Sequence, residues 1–182
     1  MIYVFLANGF EETEAIAPID ILRRCEKEVI TVGIGDNIIR GAHGINIVTD
    51  TEDKFIEFDD RVEMIVLPGG MPGTINLENS SVVNKAIDYC VKNNKLIGAI
   101  CAAPSILGHK GLLNGKKAVC YEGFENQLEG AAVLTEPAVI DGNIITARGA
   151  GVAVEFGLKL VEALISEERS KIVGDSLLWM KK

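Results

Sequence analysis

The chain has 182 residues, 48% of them apolar and 24% charged, which suits one domain, residues 1–182, with a proper core. A formal net charge of −8 argues against nucleic acid as a partner, because binding a phosphate backbone rests on clustered Lys and Arg. No stretch approaches the roughly 20 continuous apolar residues of a membrane span, and MIYVFLANGFEE has no basic leader, so a cytoplasmic location is expected.

Taken in chain order, Ile2 to Ala7 is an apolar run and reads as a first strand, broken by Asn8 and Gly9. Thr13 to Glu26 has apolar residues at mostly helical spacing. Pro18 predicts that this helix starts late or bends there. Val29 to Ile34 is a second strand. Gly35 to Asp50, with Ile38–Ile39 and Ile45 to Val48, reads as a small hairpin or side flap, and Asp53 to Glu63 as irregular. Met64 to Leu67 is a core strand stopped by Pro68, Gly69 and Gly70. Ser80 or Ser81 caps a helix running to about Asn93.

The stretch KLIGAICAAPSILGH, residues 95–109, carries the sharpest local signal. Lys95 to Ile100 is a buried strand, Cys101 to Pro104 a tight corner, and Ser105 to His109 the start of a helix ending near Gly111. A cysteine placed there meets free backbone N–H groups and the positive end of a helix, a field that favours thiolate. The arrangement is the cysteine counterpart of a nucleophile elbow. A cysteine among Ala, Ile and Gly also serves as a small buried filler. Beyond it, Ala118 to Tyr121 reads as a short strand and Glu122 to Gly130 is ambiguous. Val139–Ile140 and Ile144 to Thr146 form a hairpin about Asp141–Gly142. Val152 to Ile165 is an amphipathic helix, and Glu167 to Lys182 adds a short one packed on the body.

Alternating strands and helices indicate an α/β sheet covered on both faces, with ligands bound beyond the carboxyl ends of its strands. That rule gathers three turns: Asn8 to Glu14 with its three glutamates, Gly69 to Gly73, and Cys101–Ala102. An ionised carboxyl beside the thiol would oppose a thiolate, whereas a protonated one would donate a hydrogen bond to it. Desolvation favours the protonated form. The N–H groups of Gly70 and Ala102 suit an oxyanion hole, or equally a cradle for an oxidised cysteine. Taken alone, the glutamates are also what a solvated first helical turn carries. Cys25, Cys90, Cys101 and Cys120 have no C-x-x-C spacing, and His43 and His109 no ligand spacing with them, so neither disulfides nor a metal site are expected.

Four stretches together resemble the ThiJ/PfpI superfamily, most closely its parkinsonism-associated protein deglycase branch. They are LANGFEETEAIAPIDILRR, VLPGGMPGTINL, IGAICAAPSILGHKGLLNGKKA and IITARGAGVAVEFGLKLVEAL, in the family's order and spacing. The resemblance implies a flavodoxin-like, doubly wound, mainly parallel sheet sandwiched by helices, and a homodimer. It places the reactive cysteine on Cys101, its glutamate partner on Glu14, and the oxyanion donors on Gly70 and Ala102, with Gly69 beside them. Basic residues lining the pocket in relatives correspond less cleanly to Arg24, while His43 stands for a flap arginine and Tyr121 for a pocket histidine, although a core aromatic role fits Tyr121 too.

The resemblance implies a glyoxalase- or protein-deglycase-like enzyme acting on reactive 2-oxoaldehydes or their adducts, without a cofactor. An oxidative-stress sensor or chaperone, with Cys101 oxidised to a sulfinic acid, is the alternative. A cysteine peptidase or amidase is disfavoured, because Ala102 stands where peptidase-like relatives carry a histidine. Class I glutamine amidotransferases share the elbow but need a late His-x-Glu, which neither histidine provides.

Overall fold

The computed structural model describes residues 1–179. Nine strands and helices come first in the chain: β1 (Ile2–Leu6), α1 (Glu12–Arg24), β2 (Val29–Gly33), β3 (Ile38–Arg40), β4 (Asn46–Val48), β5 (Thr51–Glu52), β6 (Met64–Leu67), α2 (Gly73–Asn79) and α3 (Ser81–Lys92). There follow β7 (Leu96–Ile100), α4 (Pro104–His109), β8 (Lys117–Ala118), β9 (Ala132–Val133), β10 (Ala138–Asp141), β11 (Ile144–Ala147), α5 (Ala153–Leu164) and α6 (Glu167–Ser176).

The main sheet runs β10-β11-β7-β6-β1-β2-β5, parallel throughout except for β10. Among its parallel strands, β2-β1-β6-β7-β11 is the flavodoxin-like order, which reverses direction between β1 and β6. Helices cover both faces because the central strands are apolar on both sides. In β1, Tyr3 and Phe5 face α2, α3 and α4, packing with Leu77, Ile87 and Leu107. Ile2, Val4 and Leu6 face α1 and α5, packing with Leu22, Phe156 and Leu160. Each such fully buried side chain contributes on the order of 2 kcal/mol.

Several expectations are corrected. The first helix does not start late: it begins at Glu12 and contains Pro18. Proline leaves the Glu14 carbonyl without its helical donor, yet α1 is held by close packing on α5, where a Cβ at Gly157 would lie 3.1 Å from the Pro18 Cα. Helix α2 was not foreseen, because seven residues opening with Gly73 carry little periodic signal. Ser80 caps α3 as expected, accepting the Val83 N–H at 3.3 Å. The strand expected over Ala118 to Tyr121 stops at Ala118 and pairs with β9 outside the main sheet. The flap forms as the β3–β4 hairpin. Of the expected tail helix, α6 ends at Ser176, and residues 180–182 lie outside the described residues. Among the described residues no helix is long and apolar enough to cross a membrane.

Candidate active site

The turns after β1, β6 and β7 meet at the point where strand order reverses, and they lock one another. The Glu11 N–H donates to the Gly69 carbonyl at 2.9 Å and the Gly73 N–H to the Gly9 carbonyl at 3.2 Å. Gly70 has φ +89°, and a Cβ there would sit 2.3 Å from the Glu11 nitrogen, so only glycine fits. Cys101 itself has φ 65°. A left-handed non-glycine residue costs on the order of 1–2 kcal/mol, and backbone bonds to β11 and to the loop at Tyr121 hold it in place. Its N–H donates to the Ala147 carbonyl at 2.9 Å, and its own carbonyl accepts the Tyr121 N–H at 2.8 Å. Pro104 then starts α4 at its first turn.

Glu14 projects from the first turn of α1 beneath Cys101 and is 1% exposed. The Gly69 N–H donates to its Oε2 at 2.9 Å. Burial pushes its carboxyl up to about 7, against the opposing pull of hydrogen bonds with Cys101, Gly69 and Ala150. Gly69 is glycine for space: a Cβ would lie 2.6 Å from the Cys101 Cβ and 2.7 Å from Glu14 Oε2.

The thiol is governed by that carboxyl. Burial and an ionised Glu14 push Cys101 up to about 12, while the N–H groups of Gly70 and Ala102 pull it down. The expectation that the helix-end field favours thiolate is therefore corrected, since α4 has only six residues and two N–H groups do not outweigh desolvation. The opposition from Glu14 depends on its being ionised. With Glu14 protonated, its charge no longer opposes the sulfur and its O–H donates to it.

The cavity above this pair has a volume of about 400 Å³ and is lined by Cys101, Glu14, Gly70, Ala102, His43 and Tyr121, with Met71 and Phe124 at its walls. His43 stands on the flap, its Nδ1 3.1 Å from carboxylate oxygens of both Glu11 and Glu12. The Glu12 hydrogen bond and the two acidic charges push its pKa up. Glu12 accepts the N–H groups of His43 at 2.9 Å and Ile45 at 3.3 Å, so it anchors the flap and does not join the pair. Burial disfavours the Glu12 charge, but these hydrogen bonds outweigh it and hold the carboxyl below its ordinary range.

Two readings of single residues change. Tyr121 is 53% exposed at the cavity mouth and not a core aromatic, because the strand expected to bury it ends three residues earlier. Arg24 is not brought to the cavity: ten residues along α1 from Glu14, about 15 Å, it pairs with Asp20 at 2.7 Å. His109 contacts Glu78 and Gln127 on the far side of α4. Sequence reasoning missed Ala150, whose N–H reaches Glu14. A backbone donor has no residue signature, and the only sign was the Gly149–Gly151 break.

The model of the DJ-1/PfpI family matches residues 1–163. Protein DJ-1 homolog B of Arabidopsis thaliana is 38% identical over 176 residues, covering 95% of this chain, which spans only 40% of that plant protein. The glutathione-independent glyoxalase DJ-1 of Schizosaccharomyces pombe is 31% identical over 184 residues, covering 96% of both chains. Among solved structures, oxidized Toxoplasma gondii DJ-1 superposes with a TM-score of 0.93 at 33% identity, covering 98% of each chain.

Proposed function

The chain belongs to the DJ-1/PfpI family, and from that premise we propose that it is a cysteine-dependent glyoxalase- or deglycase-like enzyme acting on 2-oxoaldehydes or their adducts. The observation that carries the reading is a buried Glu14 carboxyl, raised to about 7, beside Cys101 at the floor of a cavity of about 400 Å³. The relative named as a glutathione-independent glyoxalase supports it.

In this scheme the Cys101 thiolate adds to the aldehyde carbon. The alkoxide forms within reach of the Gly70 and Ala102 N–H groups and takes the Glu14 proton, giving a hemithioacetal. The Glu14 carboxylate then removes the proton on that carbon and returns it to the neighbouring carbonyl carbon, while the hydroxyl proton passes from the first oxygen to the second, leaving a thioester of a 2-hydroxy acid. Water cleaves the thioester and restores the thiol. One carbon is oxidised, its neighbour is reduced and one water is consumed, so the groups of the chain suffice without a cofactor. A single general acid–base contributes about 10²–10⁴-fold, so modest turnover is expected where no imidazole assists.

Lactate formation from methylglyoxal by metal-free protein tests this. Wild type should produce lactate, and Cys101→Ala and Glu14→Gln should not. A folded, reduced wild type without turnover would sink the reading.

One observation favours a second reading, a redox sensor or chaperone. Cys101 is the one cysteine of the four that is not buried, and a similar structure carries the word oxidized in its name. Peroxide titration followed by mass spectrometry distinguishes it: a sensor oxidises Cys101 to sulfinic acid well before Cys25, Cys90 or Cys120. Assembly as a homodimer belongs to the same family-based proposal and is checked by light scattering.

A further inference from the structure

A second cavity of about 350 Å³ adjoins the first, and the two share Tyr121 and Ala150 as walls. It is lined by Arg148, Gly149, Gly151 and Val152 on one side and by Glu122 and Pro137 on the other. We propose that this cavity is an oxyanion subsite with Arg148 as its cation, and that the aldehydes handled best carry a carboxylate or phosphate a few carbons from the carbonyl. This rests on the aldehyde reading above and names the substrate class within it.

Three observations carry the assignment. First, Arg148 is left uncommitted. Arg23, Arg24 and Arg61 each pair with an aspartate at 2.7–2.9 Å, whereas Arg40 and Arg169, like Arg148, do not, and of these three only Arg148 lines this cavity. Among the described residues Arg148 is in no ion pair, and its one side-chain hydrogen bond is a 3.5 Å contact from Nη1 to the Thr135 carbonyl. Burial and the Glu125 charge push the Cys120 thiol up to about 11, and the Arg148 charge opposes them.

Second, nothing in the chain's own packing asks for glycine at 151. Its φ lies outside the left-handed region, and a Cβ built on it would meet no atom within 4 Å. A bare backbone there keeps the cavity wall open to a ligand. Third, Gly151 sits in the 3-10 turn Ala150–Val152 that leads into α5; the Val152 N–H there is held by the Gly149 carbonyl at 2.9 Å, which leaves the Gly151 N–H as the turn's donor toward the cavity. A guanidinium and such an N–H together present the donors an oxyanion takes.

Glu122 is the opposing group: it lines the same cavity and disfavours an anion. Its effect has a definite sign, so it serves as an internal control.

The test compares kcat/KM for three 2-oxoaldehydes: methylglyoxal, which is neutral; 4,5-dioxopentanoate, which carries a carboxylate; and hydroxypyruvaldehyde phosphate. Wild type should prefer at least one anionic aldehyde over methylglyoxal by about tenfold, and the two anionic arms show which oxyanion is used. Arg148→Gln should erase that preference through KM, Arg148→Lys should restore part of it, and Glu122→Gln should enlarge it. An unchanged ratio in Arg148→Gln, with methylglyoxal still consumed, overturns the subsite and leaves the aldehyde chemistry standing. If no aldehyde is consumed, NMR titration with 4-oxopentanoate decides. Saturable shifts in wild type that vanish in Arg148→Gln keep the subsite, and their absence in wild type removes it.

Discussion

Replacing Glu14 by Gln should stabilise the protein at alkaline pH relative to acid pH, by an amount the structure sets. Burial raises the Glu14 carboxyl from an ordinary 4.5 to about 7. Between those values the folded state holds a proton that the unfolded state has lost, so stability falls as pH rises through this window. The slope is about 1.4 kcal/mol per pH unit, and integrating from pH 5 to pH 8 gives a loss of about 2–3 kcal/mol. Glutamine does not titrate and escapes that loss. It does place an amide N–H against the Gly69 or Ala150 donor, a cost of about 1–3 kcal/mol that does not vary with pH. The informative quantity is therefore the change with pH in the Tm difference between variant and wild type. At about 2–4 °C per kcal/mol for a chain of this size, the variant should gain roughly 5–10 °C on wild type between pH 5 and pH 8. Calorimetric scans of both proteins at half-unit intervals measure it. A Tm difference that stays constant across that range would refute the reasoning, because it would mean that Glu14 ionises as an ordinary surface carboxyl does.

Gly69→Ala should lower lactate formation by about 10²-fold or more, since its Cβ would fall 2.6 Å from the Cys101 Cβ and 2.7 Å from Glu14 Oε2. The same overpacking should cost about 1–3 kcal/mol in denaturant titrations, and a variant with the wild-type rate would contradict the placement. His43, whose pKa is raised by Glu12 and Glu11, holds the flap while it is protonated. Its contribution is present below its ordinary 6.5 and is lost as pH rises through the raised value. Hydrogen exchange of flap amides 38–48, corrected for intrinsic rates, should show in wild type an extra protection at pH 6 that is lost by pH 8.5, and that pH-dependent part should be missing in His43→Ala, where the backbone bonds to Glu12 remain.

The sheet was legible because its strands are buried on both faces and appear as short unbroken apolar runs, as in Ile2 to Ala7 and Met64 to Leu67. The corner at Cys101 was legible for a related reason: an apolar run that ends at Cys-Ala-Ala-Pro leaves the cysteine only a strand-to-helix turn to occupy. Choosing Glu14 among three glutamates needed the resemblance, although a physical signal was present. Glu14, Pro18 and Ile21 follow one another at i, i+4 and i+7, and all three are buried. What escaped lies in backbone and loop. Ala150 acts through its N–H, α2 is too short to show a period, and Tyr121 moved to the surface once its strand stopped at Ala118. Arg24 was matched to a basic residue of relatives, but a match along the sequence carries no information about which end of α1 meets the cavity.

The site holds two features that a chain built only to fold would discard. A left-handed Cys101 costs about 1–2 kcal/mol, and a buried Glu14 costs about 3 kcal/mol once it ionises. Against a total stability of about 5–15 kcal/mol for a folded domain, that is a large concession for two residues. Under the proposed chemistry both costs have one cause, which is the need for a nucleophilic sulfur beside a buried acid. There the six-residue helix after Cys101 is too short to hold a thiolate charge by its own field. In the proposed mechanism the carboxyl below solves this by keeping a proton that it can lend: neutral, it supports the thiolate, and ionised, it takes a proton from carbon. An imidazole would serve the first role but would not need burial to be tuned. Glu14 needs that burial, so in the proposed mechanism Gly69 and the three interlocked turns matter to proton transfer as much as the two side chains they enclose.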